Sequence, residues 1–476
     1  MKKRGDAMIC LEKVYLPAFG RAAHCPALPV EVFRRRLDAA TARLDASAFD
    51  VLAVYADREH CANMAYLTGF DPRFEEALLL LDRHGNRLLM VGNENMGYLP
   101  DADLGFRVEL FQEFSLLGQS REQSRPLRDV FGEFGIGSGA RVGCAGWKSY
   151  QSRFVLPGAV PAGDAPTALD LPAYIVDVLR ELCGDVSRVT NAAGMFTNLD
   201  DGLRVVNEPE QIARFEFAAS VASDGVLEVL RHIRPGAAED ELERLMDGRG
   251  LPLSCHRMIG FGEKAQRGLA SPSERRASLG DQFTTAFGVA GSLCARAGCV
   301  ASGPDDLSDE LRDFYPRFAA NYFSVVAAWY GALRVGATAG DVFQAAESRR
   351  NPRLLDFALN PGHYLHLDEW LNSPFTTGSR SVLKSGSAVQ ADIIPVSRGP
   401  FCCSNVEDGV VLADESLRER LSRAYPDAWE RISHRRSFMQ EALGIRLDAS
   451  VLPLGNTPGW LPPYVLSLEQ AFVERP

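Results

Sequence analysis

The stretch NEPEQIARFEFAASVASDGVLEVLRHIRPG, residues 207–236, decides the architecture. Asn207 and Glu210 stand three apart with Pro209 between them, a capping-box pattern that opens a helix. Phe215, Ala219, Ala222, Val226, Leu230 and Ile233 recur at threes and fours as one apolar stripe, and Arg234-Pro235-Gly236 ends it. A second helix is predicted over 238–246. Strand-like text follows at 283–289, 388–396 and 410–412, with a helical region at 311–333. Strands broken by helices in one block predict an α+β domain.

Upstream the character differs. The text FDVLAVYADREHCANMAYLTGF at 49–70 reads as a βαβ-like opening. Two apolar runs at 77–81 and 87–91 flank a turn containing Gly85 and Asn86, which predicts a hairpin. RVGCAGW at 141–147 and a helix around 174–182 continue the α/β pattern. The reading is therefore an α/β domain over 1–203, an α+β domain over 204–445 and a Pro/Gly-rich extension over 446–476. That extension, with LPLGNTPGWLPPY at 452–464 after an amphipathic helix at 429–445, is expected to pack on the second domain.

Composition limits the function. Over 476 residues, 46% are hydrophobic and 24% charged, the balance of a globular chain. The net charge of −11, without a Lys/Arg cluster, excludes a nucleic-acid surface as the main function. No apolar run reaches the roughly 18 to 20 residues that span a bilayer, and the first residues lack an apolar signal core. A cytoplasmic protein without a membrane partner is expected. Ten scattered cysteines, with Cys402 and Cys403 adjacent and no CxxC, predict reduced, mostly buried thiols. There is no internal repeat detectable in the text.

Several short motifs stand in a telling order: DREHCANMAYLTGF at 57–70, the opener at 207–226, Arg234-Pro235-Gly236, Leu279-Gly280-Asp281, Asn360-Pro361-Gly362-His363, Leu383-Lys384-Ser385-Gly386 and Val406-Glu407-Asp408-Gly409-Val410. In that order and spacing the chain resembles the creatinase, prolidase and aminopeptidase P superfamily. The resemblance implies an N-terminal creatinase-like α/β domain, a catalytic-type domain of the pita-bread fold and a homodimer acting on a small-molecule substrate.

Peptidases of that superfamily hold two divalent metals with two Asp, one His and two Glu, hard oxygens and an imidazole that suit ions activating a bridging water. Carried over residue by residue, the resemblance puts Ala286 at the first Asp position and Leu293 at the second, with Cys294 the nearest soft ligand. His363 and Glu407 match, and Asp392 stands for the remaining Glu. The acid/base His of the family falls on Leu269. No dinuclear metal site is therefore expected; if any metal binds, it is a single divalent ion on His363, Asp392 and Glu407.

The run His363-Tyr364-Leu365-His366-Leu367-Asp368-Glu369-Trp370 adds a second imidazole and more carboxylates, a set able to do acid/base work. The candidate catalytic residues are His363, His366, Asp392 and Glu407. The candidate substrate-binding residues are Arg267, Arg296, Trp370 and Asp368. Tyr322 and Phe401 are candidate pocket walls, whereas adjacent Cys255 and His256 point to opposite faces of a strand and make no nucleophile–base pair. Three functions stay open: a hydrolase-like enzyme on a small amide, guanidino or peptide-like C–N substrate without a dinuclear metal, an Xaa-Pro-peptidase-like enzyme with unusual mononuclear ligation, and a silent member that only binds a ligand or partner.

Overall fold

In the computed structural model, residues 8–99, 103–150, 155 and 168–476 are described. The chain divides into two compact units, one formed by 28–204 and the other by 1–27 together with 205–476.

The first unit is built on a six-stranded sheet, in spatial order Arg107–Leu110, Arg87–Val91, Ala77–Asp82, Val51–Ala56, Val142–Ala145, Val189–Asn191. Its central strands read as continuous apolar runs because both faces are covered. Leu52, Val54 and Ala56 pack with Leu37, Ala40 and Leu44 of the helix Val30–Ser47, while Val51, Ala53 and Tyr55 pack with Val130, Ile175 and Leu179 on the other side. The hairpin is present, with Ala77 opposite Val91. The βαβ-like opening differs from expectation, since Val51–Ala56 and Ala77–Asp82 run antiparallel. The intervening helix Ala62–Thr68 has seven residues, about 10 Å, too short to carry the chain back along a strand of about 20 Å.

The second unit corrects the expected boundaries. Residues 1–27 belong to it rather than to a domain spanning 1–203, because Met8–Lys13 pairs antiparallel with Gln470–Arg475, Met8 opposite Arg475 and Lys13 opposite Gln470. Further along this segment Phe19 meets Phe438 edge to face at 5.8 Å, Arg21 ion-pairs with Asp224, and Asn456 Nδ2 donates to the Gly20 carbonyl at 3.1 Å. The final residues are likewise part of the core: Val451–Pro453 closes a sheet, and Trp460, Leu461 and Tyr464 are buried.

The opening helix spans Pro209–His232. Its N-cap is Glu208 without a side-chain cap bond, so the expected capping box does not form. Asn207 is used elsewhere: its backbone N–H and its Nδ2 both donate to the Gly386 carbonyl, at 2.9 and 3.0 Å. The helical region at 311–333 resolves into Asp309–Arg312 and Phe314–Ala332.

A duplication emerges that the text alone concealed. Helix Pro209–His232 leads through Ile233-Arg234-Pro235-Gly236-Ala237 into Glu239–Glu243, and helix Phe314–Ala332 leads through Leu333-Arg334-Val335-Gly336-Ala337 into Ala339–Arg349. Gly236 and Gly336 have φ of +89° and +84°, conformations an L side chain resists, and their N–H groups donate to Ala277 and Leu383 respectively. Each half contributes to one four-stranded sheet: Asn405–Glu407, Ser292–Cys299, Gln282–Val289, Met258–Phe261 in the first, and His363–Tyr364, Ala388–Gln390, Gly409–Leu412, Val451–Pro453 in the second. The chain passes from one sheet to the other at Asp408.

All ten cysteines are free, and half of them, rather than most, are fully buried. Among the described residues no helix is long and apolar enough to cross a membrane.

Candidate functional site

The junction between the two sheets gathers the ionisable groups. Glu407 ends one strand, Asp392 lies just past Ala388–Gln390, and His363 opens the strand that pairs with it, His363 opposite Gln390. One ligand atom from each of His363, Asp392 and Glu407 lies within 4.8 Å of the others, and all three residues are buried.

Each side chain is aimed by its local structure. Gly362, at φ +106°, turns the chain into His363, and a Cβ there would meet Trp329 at 2.9 Å and the Gln390 carbonyl at 3.0 Å. Trp329 Nε1 also donates to the Pro361 carbonyl at 2.7 Å, which fixes the turn. Tyr322 is a brace rather than a wall: its hydroxyl donates to the Ile393 carbonyl at 2.8 Å and accepts the Val406 N–H at 2.9 Å, tying the segments that carry Asp392 and Glu407. Phe401 is 37% exposed and is not among the residues of this junction.

Strand alternation places Asp408 on the face opposite Glu407. There it meets Arg296, whose Nη2 donates to both carboxylate oxygens at 2.9 and 2.8 Å. Arg296 also donates from Nε to the Trp460 carbonyl at 2.9 Å and from Nη2 to the Thr457 carbonyl. Its guanidinium is thus engaged inside the protein, which removes it as a hand for a substrate carboxylate. Cys294 shares that far face, 3.9 Å from Asp408 Oδ1 and 3.5 Å from Thr457 Oγ1, and burial pushes its thiol up to about 12, so it is a neutral filler.

On the Glu407 face, register puts Ala295 directly beside Glu407 and Ala286 beyond it. Leu293 lies two residues further along the same face, opposite Gly288. The neighbours of Glu407 across the sheet are therefore methyl groups.

His363 is tightly specified. Its Nδ1 lies 3.1 Å from the Tyr364 carbonyl, an oxygen that can only accept, so Nδ1 carries a proton and Nε2 is the working atom. Nε2 lies 2.9 Å from Glu369 Oε1 and 3.8 Å from Asp392 Oδ2. Trp370 stacks on the imidazole, with ring centroids 4.2 Å apart. Burial alone would lower the affinity of His363 for a second proton, but Glu369, with Asp392, outweighs it and raises the pKa. Burial drives Asp392 up to about 7, against the pull of His363, and drives Glu407 well above the carboxylate range with Asp392 adding to the rise.

The other predicted residues fall elsewhere. His366 is buried edge-on against Phe215, centroids 5.3 Å apart, and lies in a bend beyond the two-residue strand His363–Tyr364 rather than on a helical turn with His363. Asp368 is half-buried, its carbonyl accepting the His366 N–H at 3.2 Å, and Arg267 is exposed at the end of the short turn Gly262–Arg267. Leu269 is 67% exposed, and its carbonyl accepts from His256 Nε2 at 2.7 Å. Tyr322 and Asp408 have parts that the sequence did not show, whereas Glu369, one of the carboxylates of the 363–370 run expected to converge on the imidazole, does reach it. Asp408 had a signal, since the acidic pair Glu407-Asp408 must present one carboxylate to each face.

No protein-family model and no curated protein sequence matches the chain. Solved structures do. A prolidase from Thermococcus sibiricus matches with a TM-score of 0.60 at 16% identity, covering 82% of this chain and 96% of its own. Dipeptidase PepE from Mycobacterium ulcerans matches with 0.59 at 18%, covering 81% and 94%. An X-Pro aminopeptidase from Thermotoga maritima matches with 0.57 at 14%, covering 80% and 95%. With its α/β unit and its two-sheet unit built from a repeated helix–turn–helix, the chain has the pita-bread fold of the prolidases and X-Pro aminopeptidases.

Proposed function

We propose that the protein is a hydrolase of a small amide or peptide-like C–N substrate, working from the His363–Asp392–Glu407 cluster with one divalent cation rather than two. The observation that carries this is the convergence of three ligand-type atoms within 4.8 Å in a buried junction, with Ala286 and Leu293 at the positions matched to the two Asp ligands and Ala295 and Ala286 next to Glu407 across the sheet. The donor set fits a single hard ion: His363 gives its other nitrogen to a backbone carbonyl, as metal-bound imidazoles do, and buried Asp392 Oδ1 has no hydrogen-bond partner among the described residues. A bound divalent ion would supply a polarised carbonyl and a more acidic water.

The chain's own groups supply the rest. Trp370 and the Tyr364 carbonyl hold the imidazole so that Nε2 faces the carboxylates. Burial, with Asp392 beside it, holds the Glu407 carboxyl well above the carboxylate range, a cost that a bound cation would offset. The wall of Ala286, Gly288, Ala295 and Ala297 leaves the opposite side smooth and uncharged, suited to a compact substrate.

The test is a panel of dipeptides, simple amides and guanidino compounds offered to protein supplied with manganese. Turnover is expected on one of these C–N classes, falling by roughly 10²-fold or more in Asp392→Asn. Folded, manganese-supplied protein that hydrolyses none of them would refute the assignment.

A further inference from the structure

The strand face beside Glu407 offers no carboxylate at Ala286, Leu293, Ala295 or Ala297, yet a carboxylate reaches the cluster from another direction. Tyr364 and Asn372 pair across a tight loop, Tyr364 N–H donating to the Asn372 carbonyl at 2.7 Å and Leu371 N–H to the Tyr364 carbonyl at 2.9 Å. That loop folds Glu369 back over the imidazole, its Oε1 2.9 Å from His363 Nε2. Two donor atoms each about 2.1 Å from one hard ion are about 3.0 Å apart at right angles and about 4.2 Å apart across it. The distances of 2.9 Å and 3.8 Å from Nε2 to Glu369 and Asp392 lie in that span. Independently, Asp392 is only 5% exposed, its Oδ2 faces His363 Nε2, and its Oδ1 has no hydrogen-bond partner among the described residues.

We propose that Glu369 is a fourth donor, so that His363, Glu369, Asp392 and Glu407 together take one hard divalent cation of the manganese type. This rests on the reading that the cluster holds a single cation. The hairpin has no carboxylate at Ala286 or Leu293, the positions matched to the two Asp ligands, and the loop after His363 supplies one instead. Glu369 is the most exposed member, at 24% of its side chain against 7% for Asp392, so it is the donor that closes over the ion from the solvent side. Trp370 helps by stacking on the ring and keeping Nε2 turned toward it.

Calorimetric titration with manganese, read alongside the electron paramagnetic resonance of the bound ion, separates the two levels of the proposal. Glu369→Gln keeps the side-chain volume and, with unfolding temperature checked, should weaken binding by roughly 10- to 100-fold. Glu369→Asp should recover part of the loss, and His363→Ala should abolish binding. Undiminished or tighter binding in Glu369→Gln, with binding still lost in His363→Ala, would overturn the fourth donor and leave the single-cation reading intact. Binding lost in neither variant, or absent from the unaltered protein, would overturn both.

Discussion

Replacing Asp408 with alanine is expected to destabilise the second unit by about 3–5 kcal/mol, because it strands a buried guanidinium. Arg296 and Asp408 are 1% and 3% exposed. Asp408 is also held by the Gly459 N–H at 2.9 Å and Thr457 Oγ1 at 3.2 Å, so the pair knits three segments. With Asp408 gone, Arg296 retains carbonyl partners but no counter-charge in a medium of low dielectric constant. Replacing both partners with apolar residues of similar volume should cost much less, since the desolvation penalty disappears together with the attraction. Urea unfolding followed by tryptophan fluorescence reads this directly, because Trp329, Trp370, Trp429 and Trp460 all lie in this unit. A loss below about 1 kcal/mol in Asp408→Ala would mean that the ion pair is not structural. The site depends on the same pair: with Asp408 anchored below the sheet, alternation holds Glu407 above it.

Replacing His363 with alanine should leave the fold in place and abolish function. Among the described residues the imidazole is the only nitrogen in the cluster, and Asp392, buried and without that partner, would hold its proton more firmly. Turnover on any substrate found should fall by roughly 10²- to 10⁴-fold. Trp370 would lose its stacking partner, so its emission should change in the variant. Retained turnover with a lost Trp370 signal would show that His363 is a packing residue and that the chemistry lies elsewhere.

Much of this was legible in the text. The helix Pro209–His232 follows from its apolar stripe and its terminators, and the hairpin of the first unit from two apolar runs around Gly85 and Asn86. His363, Asp392 and Glu407 were identifiable because short motifs surround them. What escaped depends on contacts that spacing does not encode. Glu369 stands in the text as one of several carboxylates able to converge on the imidazoles, and only the loop closing between Tyr364 and Asn372 singles it out. Arg296 reads as a free cation until the register reveals Asp408 beneath Glu407. Met8–Lys13 finds its partner at the other end of the chain, and the turn shared by Gly236 and Gly336 is too short a similarity to announce a duplication.

The site is proposed to take one cation per chain. Elemental analysis of protein saturated with manganese and freed of unbound ion measures it most directly. About one manganese per chain, lost in His363→Ala, is the expected result; two per chain, or none at any manganese concentration, would rule out a single-cation site.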